Sequence, residues 1–100
     1  MGINVEVFSS PGCSKCSHAR EVLKKIVLEK GEDCIHWREV NILQELDYAV
    51  SLGVLSTPAI AIDGQLIFTH LPSARKLQSA LEEHIHKAQD HDTQYRQQDI

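Results

Sequence analysis

The sequence predicts an α/β fold: a mixed four-stranded sheet with helices on both faces, in the order β-α-β-α-β-β-α. Three observations predict it. Apolar and polar residues alternate from Ile3 to Val7, and beyond Cys13 the apolar spacing changes to that of a helix. Ala59 to Ile62 is apolar throughout, as a central strand covered on both faces would be. Asp63-Gly64 follows at once and is among the strongest two-residue hairpin signals, which makes the last two strands antiparallel.

Each element has its own warrant. Val5, Val7 and Phe8 favour a first strand. Ser9-Ser10-Pro11-Gly12 is a turn cluster. Ala19, Val22, Leu23, Ile26 and Val27 then form one apolar stripe of a helix that Gly31 can stop. Cys34 to Val40 reads as a second strand, joined to the first by a right-handed parallel crossover. Asn41 is a good N-cap, and Leu43, Leu46, Ala49 and Val50 continue at helical spacing in a second helix that Gly53 can end. Gln65 to Thr69 returns from the hairpin. Ser73 can cap a last helix, with Ala74, Leu77, Leu81, Ile85 and Ala88 on its buried side. The domain is expected to occupy residues 1–88. Residues 89–100 are mostly polar and are expected to be a disordered tail.

Composition narrows the function classes. One hundred residues suffice for a single core. The net charge of -4, from 10 basic and 14 acidic residues, argues against nucleic acid as a partner, since phosphate binding needs a basic patch. No apolar run approaches a membrane span. Met1-Gly2-Ile3-Asn4-Val5-Glu6 lacks the features of a signal peptide, so the chain is expected to be cytoplasmic, and a monomer. Three cysteines are an odd number for a structural disulfide framework. In a reducing compartment a close pair is catalytic or metal-binding rather than a permanent staple.

That pair is Cys13 and Cys16, in Cys13-Ser14-Lys15-Cys16. The spacing brings both sulfurs to one face of a helical turn, close enough to bond. Cys13 falls at the helix N-terminus, where unpaired N–H groups and the helix dipole stabilise a thiolate, the form that attacks disulfides. Lys15, and less directly His18 and Arg20, add positive charge. Cys13 is therefore the expected attacking thiol and Cys16, further into the helix, the resolving one. A metal site is the rival use: Cys13, Cys16 and His18, with His70 or Cys34, are zinc or copper donors. No second Cys-x-x-Cys or His-x-x-x-His supports it.

Strand, Cys13-x-x-Cys16, helix, then Thr57-Pro58 before the apolar strand and its hairpin resemble the thioredoxin fold. The match is nearest to the short thioredoxin-like and glutaredoxin-like proteins that lack an extra N-terminal strand and helix. The resemblance rests on Val7 to Cys16 and on Gly53 to Gly64, and by element order reaches Ala88. It implies a small dithiol-disulfide oxidoreductase with no bound organic cofactor, the cysteine pair carrying the electrons. It implies as partners a protein disulfide and an electron donor, a thiol reductase or glutathione. It also implies that the Thr57-Pro58 bond is cis and that Thr57 and Pro58 face the substrate. Lys15 and His70 are further candidate substrate-binding residues by their own position and charge, not by the resemblance. The alternative left open is a metal-binding or metal-delivery module using the same thiols.

The chain departs from the family in places. Ser14-Lys15 is neither the Gly-Pro of thioredoxins nor the Pro-Tyr of glutaredoxins, and no tryptophan precedes Cys13. Val7 stands where thioredoxins carry a buried aspartate, and Glu6 points to the opposite face. His70 replaces a usual glycine, and the acidic motif with which glutaredoxins hold glutathione is missing. Cys34 is expected to be a half-buried apolar residue and Trp37 a packing residue. His84, His86 and His91 are expected in solvent.

Overall fold

The computed structural model describes residues 2–31 and 33–98, with side chains as far as 87. Seven elements appear in the expected order: β1 (Ile3–Ser9), α1 (Ser14–Lys30), β2 (Ile35–Asn41), α2 (Leu46–Leu52), β3 (Ala59–Ile62), β4 (Gln65–Phe68) and α3 (Ala74–Gln98). They form one four-stranded sheet of order β2-β1-β3-β4. β1 runs parallel to β2 and antiparallel to β3, and β3 runs antiparallel to β4. The apolar strand β3 is indeed interior, and all its residues are buried.

Strand alternation divides the core into two layers. Ile3, Val5 and Val7 of β1, with Ile60 and Ile62 of β3, pack against Ala19, Leu23, Ile26 and Val27 of α1 and Leu77 and Leu81 of α3. Phe8, Val40, Ala59 and Ala61 face the other way and are covered by Ala49 of α2 and by Val54. The sheet thus has helices on both faces. Trp37 and Cys34 are half-buried against the first layer, as expected.

The hairpin also forms as expected. Asp63 and Gly64 take left-handed conformations, with φ of 50° and 81°, the pair of positive φ values that a two-residue hairpin needs and glycine supplies without strain. Asp63 does a second job: its carboxylate accepts from the Asn4 N–H at 2.9 Å, and its own N–H donates to the Asn4 carbonyl at 2.7 Å. The hairpin is thereby latched to the start of β1. Ser73 caps α3, its Oγ accepting from the Lys76 N–H at 3.2 Å.

The second helix departs from expectation. Asn41 ends β2 and caps a turn instead: its Oδ1 accepts from the Leu43 N–H at 2.9 Å and its carbonyl from Gln44 and Glu45. This side-chain bond competes with helix formation and holds the chain in a turn until Leu46. Ala49 alone is buried in α2, while Leu43, Leu46 and Val50 are exposed. The helical backbone of α3 continues past Ala88 to Gln98, with no glycine or proline to stop it. The tail expected at 89–100, His91 included, lies outside the residues whose side chains are described.

Candidate active site

β1 ends at Ser9, and the chain turns through Pro11 and Gly12 into α1. Gly12 has a φ of 76°, which glycine tolerates without strain, and the Cys13 N–H donates to the Ser10 carbonyl at 3.3 Å. This tight turn puts Cys13 at the N-cap of α1 in an extended conformation (φ -91°, ψ 102°). Its Sγ accepts from the Cys16 N–H at 3.1 Å, the place a capping oxygen would take. Cys13 and Cys16 are joined by a disulfide, their Cα atoms 5.3 Å apart, well within the range such a bond requires. Cys13 is partly exposed, and Cys16 is only 1% exposed. Cys13 is thus the more exposed sulfur of the pair.

The dithiol opens onto a cleft of about 490 Å³. Beyond the turn and the two cysteines, its lining includes Ser9, Ser17, Arg20, Glu39 and Asn41. Ser9 is buried, and its Oγ donates to Glu39 Oε2 at 2.7 Å. Arg20 also donates to Glu39 Oε2 and, through its other nitrogen, to Ser17 Oγ at 2.9 Å. The Ser9 hydroxyl first, and then the Arg20 guanidinium, hold the Glu39 carboxyl below the usual carboxylate range. The positive charge expected of Arg20 is thus engaged by Glu39.

Of the other sequence-predicted residues, Thr57 is brought to the dithiol loop and Lys15 and His70 are not brought into the cleft. The Thr57–Pro58 peptide is cis, as the resemblance implied. The hydroxyls of Thr57 and Ser10 share a hydrogen bond of 2.7 Å, which ties the proline loop to the turn before Cys13. Pro58 is buried. Lys15 and His18 are exposed on the first turns of α1. His70 is exposed, with its Nδ1 3.5 Å from Thr69 Oγ1. Sequence reasoning missed Ser9, Ser10, Glu39 and Asn41. The signal for Glu39 lay in alternation: Trp37, an expected packing residue, and Glu39 share one face of β2. Among the described residues no group of three or more His, Cys, Asp or Glu side chains is placed to hold a metal ion, so Cys13, Cys16, His18, His70 and Cys34 do not converge.

Comparison with known proteins agrees with this geometry. Residues 3–82 match the family model described as a thioredoxin domain. The chain belongs to the thioredoxin family. A probable thioredoxin of Methanothermobacter thermautotrophicus is 35% identical over 85 residues, covering 85% of this chain and 99% of its own. A thioredoxin of Methanocaldococcus jannaschii is 25% identical over 83 residues, covering 83% of this chain and 96% of its own. Among solved structures, a mutant thioredoxin from Halobacterium salinarum superposes with a TM-score of 0.69 at 16% identity, over 81% of this chain and 73% of that one. Oxidised mitochondrial thioredoxin 3 of Saccharomyces cerevisiae gives 0.66 at 18% identity, over 81% and 77% of the two chains. Those structural matches speak for the fold; the family match, with the bonded Cys13–Cys16 pair, makes this thioredoxin-family chain a dithiol-disulfide oxidoreductase. Nothing in the site or its relatives favours the metal-binding alternative. No helix among the described residues is long and apolar enough to cross a membrane.

Proposed function

We propose that the protein exchanges disulfides with protein substrates, Cys13 attacking and Cys16 resolving. The observation that carries this assignment is the asymmetry of the pair: Cys13 is accessible and sits at the helix N-cap, whereas Cys16 is buried. The reduced Cys13 sulfur would receive the Cys16 N–H and the positive end of the α1 dipole, which favour its thiolate. That thiolate attacks a substrate disulfide and displaces one thiolate. Cys16 then attacks Cys13 Sγ, releases the second substrate thiolate and closes the Cys13–Cys16 bond. Two thiols are oxidised and one disulfide is reduced, with no organic cofactor in the cycle.

Thr57 and Pro58 form the docking edge, held to the dithiol loop through Ser10. Lys15, exposed beside the pair, offers positive charge to an acidic substrate segment. His70 adds a polar contact from the stretch whose Thr69 carbonyl accepts from Ser56 at 3.2 Å. The electron donor is a thiol reductase or glutathione, and the protein works as a cytoplasmic monomer. Reduction of insulin disulfides, with metal content assayed on the same preparation, tests the reading. Turnover that vanishes in Cys13→Ser supports it; no turnover together with stoichiometric zinc reverses it.

A further inference from the structure

We propose that the cleft beside the dithiol binds small disulfides and thiols that carry an α-amino acid head, Arg20 and Asn41 taking the carboxylate and Glu39 the ammonium group. The site acts through Cys13 as the attacking thiol and so rests on that assignment.

Two elements build it. Cys13, Cys16, Ser17 and Arg20 fall at i, i+3, i+4 and i+7, one stripe at the start of α1. Glu39 and Asn41, two positions apart on β2, share one face of the sheet. The strand order β2-β1-β3-β4 puts this cleft on the β2 flank of the dithiol. Thr57 precedes β3, on the other side of β1, and does not line the cleft. The cleft is therefore separate from the Thr57–Pro58 edge assigned to protein substrates.

Its lining suits a small polar solute. Apart from the two cysteines, Pro11 is the one apolar side chain among the described residues that line it. The central anchors of a protein partner sit against more apolar, desolvated surface. The volume of about 490 Å³ falls within the ~300–1,000 Å³ of small-ligand sites.

The charges select the head group. Arg20 donates through one terminal nitrogen to Glu39 and through the other to Ser17. A guanidinium has further N–H donors in the same plane, and their fork fits a carboxylate. Asn41 Oδ1 accepts from the Leu43 N–H, which leaves its amide N–H groups to donate. Ser9 and Arg20 both donate to Glu39 Oε2, which leaves Oε1 for an ammonium group. The Ser9 hydroxyl and then Arg20 keep that carboxyl ionised at neutral pH. The Arg20 and Glu39 side chains are 34% and 37% exposed, so a solute can reach both. A ligand with one charge meets one attractive and one repulsive partner here; a zwitterion meets two attractive ones. In cystine both charged groups sit on the carbon next to the one bearing sulfur, which keeps them in the cleft that Cys13 opens onto.

The exchange balances without a further reactant. The Cys13 thiolate attacks one sulfur of the small disulfide. That S–S bond breaks, and the electron pair leaves with the other sulfur, which takes a proton from water. Cys16 loses its proton to water and attacks Cys13 Sγ; the second small thiolate leaves and is protonated. Two protein thiols become one disulfide, and one small disulfide becomes two thiols.

Four probes test the site. L-cystine carries both groups, cystamine lacks the carboxylates, dithiodipropionate lacks the ammonium groups and hydroxyethyl disulfide lacks both. The rate at which each oxidises the reduced protein, divided by its rate with free dithiothreitol, measures what the site adds. L-cystine is expected to lead each of the others by about tenfold, as a hydrogen bond to a charged group allows. Arg20→Gln should cut its lead over cystamine to about twofold, and Glu39→Gln its lead over dithiodipropionate likewise. Each lead is a ratio within one protein, so incomplete folding of a variant does not distort it. Equal normalised rates for the four disulfides overturn the proposal, as does a lead that either variant leaves unchanged. Reduced protein that none of the four oxidises, with a Cys16→Ser variant that traps no mixed disulfide, overturns instead the assignment of Cys13, and the proposal with it.

Discussion

Val7 and Glu39 are Cα partners across the parallel strands β1 and β2, so a buried valine and a carboxylate share the sheet face beneath the dithiol helix. The first belongs to the apolar layer under α1; the second lines the cleft into which Cys13 opens. By resemblance, thioredoxins carry a buried aspartate where this chain has Val7. Here the acid near the dithiol comes from the neighbouring strand, held by Ser9 and Arg20.

That holding has a pH signature. The folded-state pKa of Glu39 is lowered, by the Ser9 hydroxyl first and then by Arg20. A lowered folded pKa adds stability that is present above the unfolded value, near ~4.3, and is lost as pH falls through the folded one. The side chain is 37% exposed, so solvent screening limits the gain to at most about 1 kcal/mol. Urea denaturation of wild type and Glu39→Gln should show wild type ahead at pH 7 and the gap closing toward pH 3. A gap independent of pH would contradict the assignment.

Ser10 and Thr57 join the dithiol turn to the proline loop. Ser10→Ala removes that bond and is expected to cost about 1 kcal/mol of stability. If the bond also keeps the docking edge in register with Cys13, KM for a protein disulfide should rise several-fold with little change in kcat. An unchanged KM would leave the bond a stabilising contact and no more.

On the opposite face, Tyr48 donates to Glu6, which also receives Arg38, and Arg38 lies 5.7 Å from the centre of the Tyr48 ring. The bond to Glu6 first, and then burial, raise the phenol above its ordinary pKa. A raised folded pKa gives stability that is complete below the unfolded value, near ~10, and is lost as pH rises through the folded one. Tyr48→Phe should therefore cost about 1–2 kcal/mol at pH 7 and progressively less above pH 10, followed by chemical denaturation.

The two apolar stripes should respond very differently to truncation. Leu23 is fully buried between sheet and α1, and Leu23→Ala should cost about 2–5 kcal/mol. Leu46 is 55% exposed, and Leu46→Ala should stay within about 0.5 kcal/mol. A large loss at Leu46 would mean that α2 packs as the sequence pattern suggested.

Leu46 also marks where the sequence stopped being legible. The element order, the Asp63-Gly64 hairpin, the Ser73 cap and the dithiol at a helix N-terminus were readable because each rests on neighbouring residues. In the sequence Asn41 fits a helix cap and a turn equally well; only the observed start at Leu46 separates the two. The Ser10–Thr57 bond spans 47 positions and Glu39 meets the cleft through strand pairing. Neither is visible until the register is known. Lys15 and His70 lie near the dithiol loop and the last helix along the chain, and both stand in solvent.

The most direct test of the dithiol assignment is a pair of trapping experiments with a protein disulfide substrate. Cys16→Ser should accumulate a mixed disulfide through Cys13, seen as an added mass that thiols remove. Cys13→Ser should accumulate little, because Cys16 is 1% exposed. Equal trapping by both variants, or trapping through Cys16 alone, would contradict Cys13 as the attacking thiol.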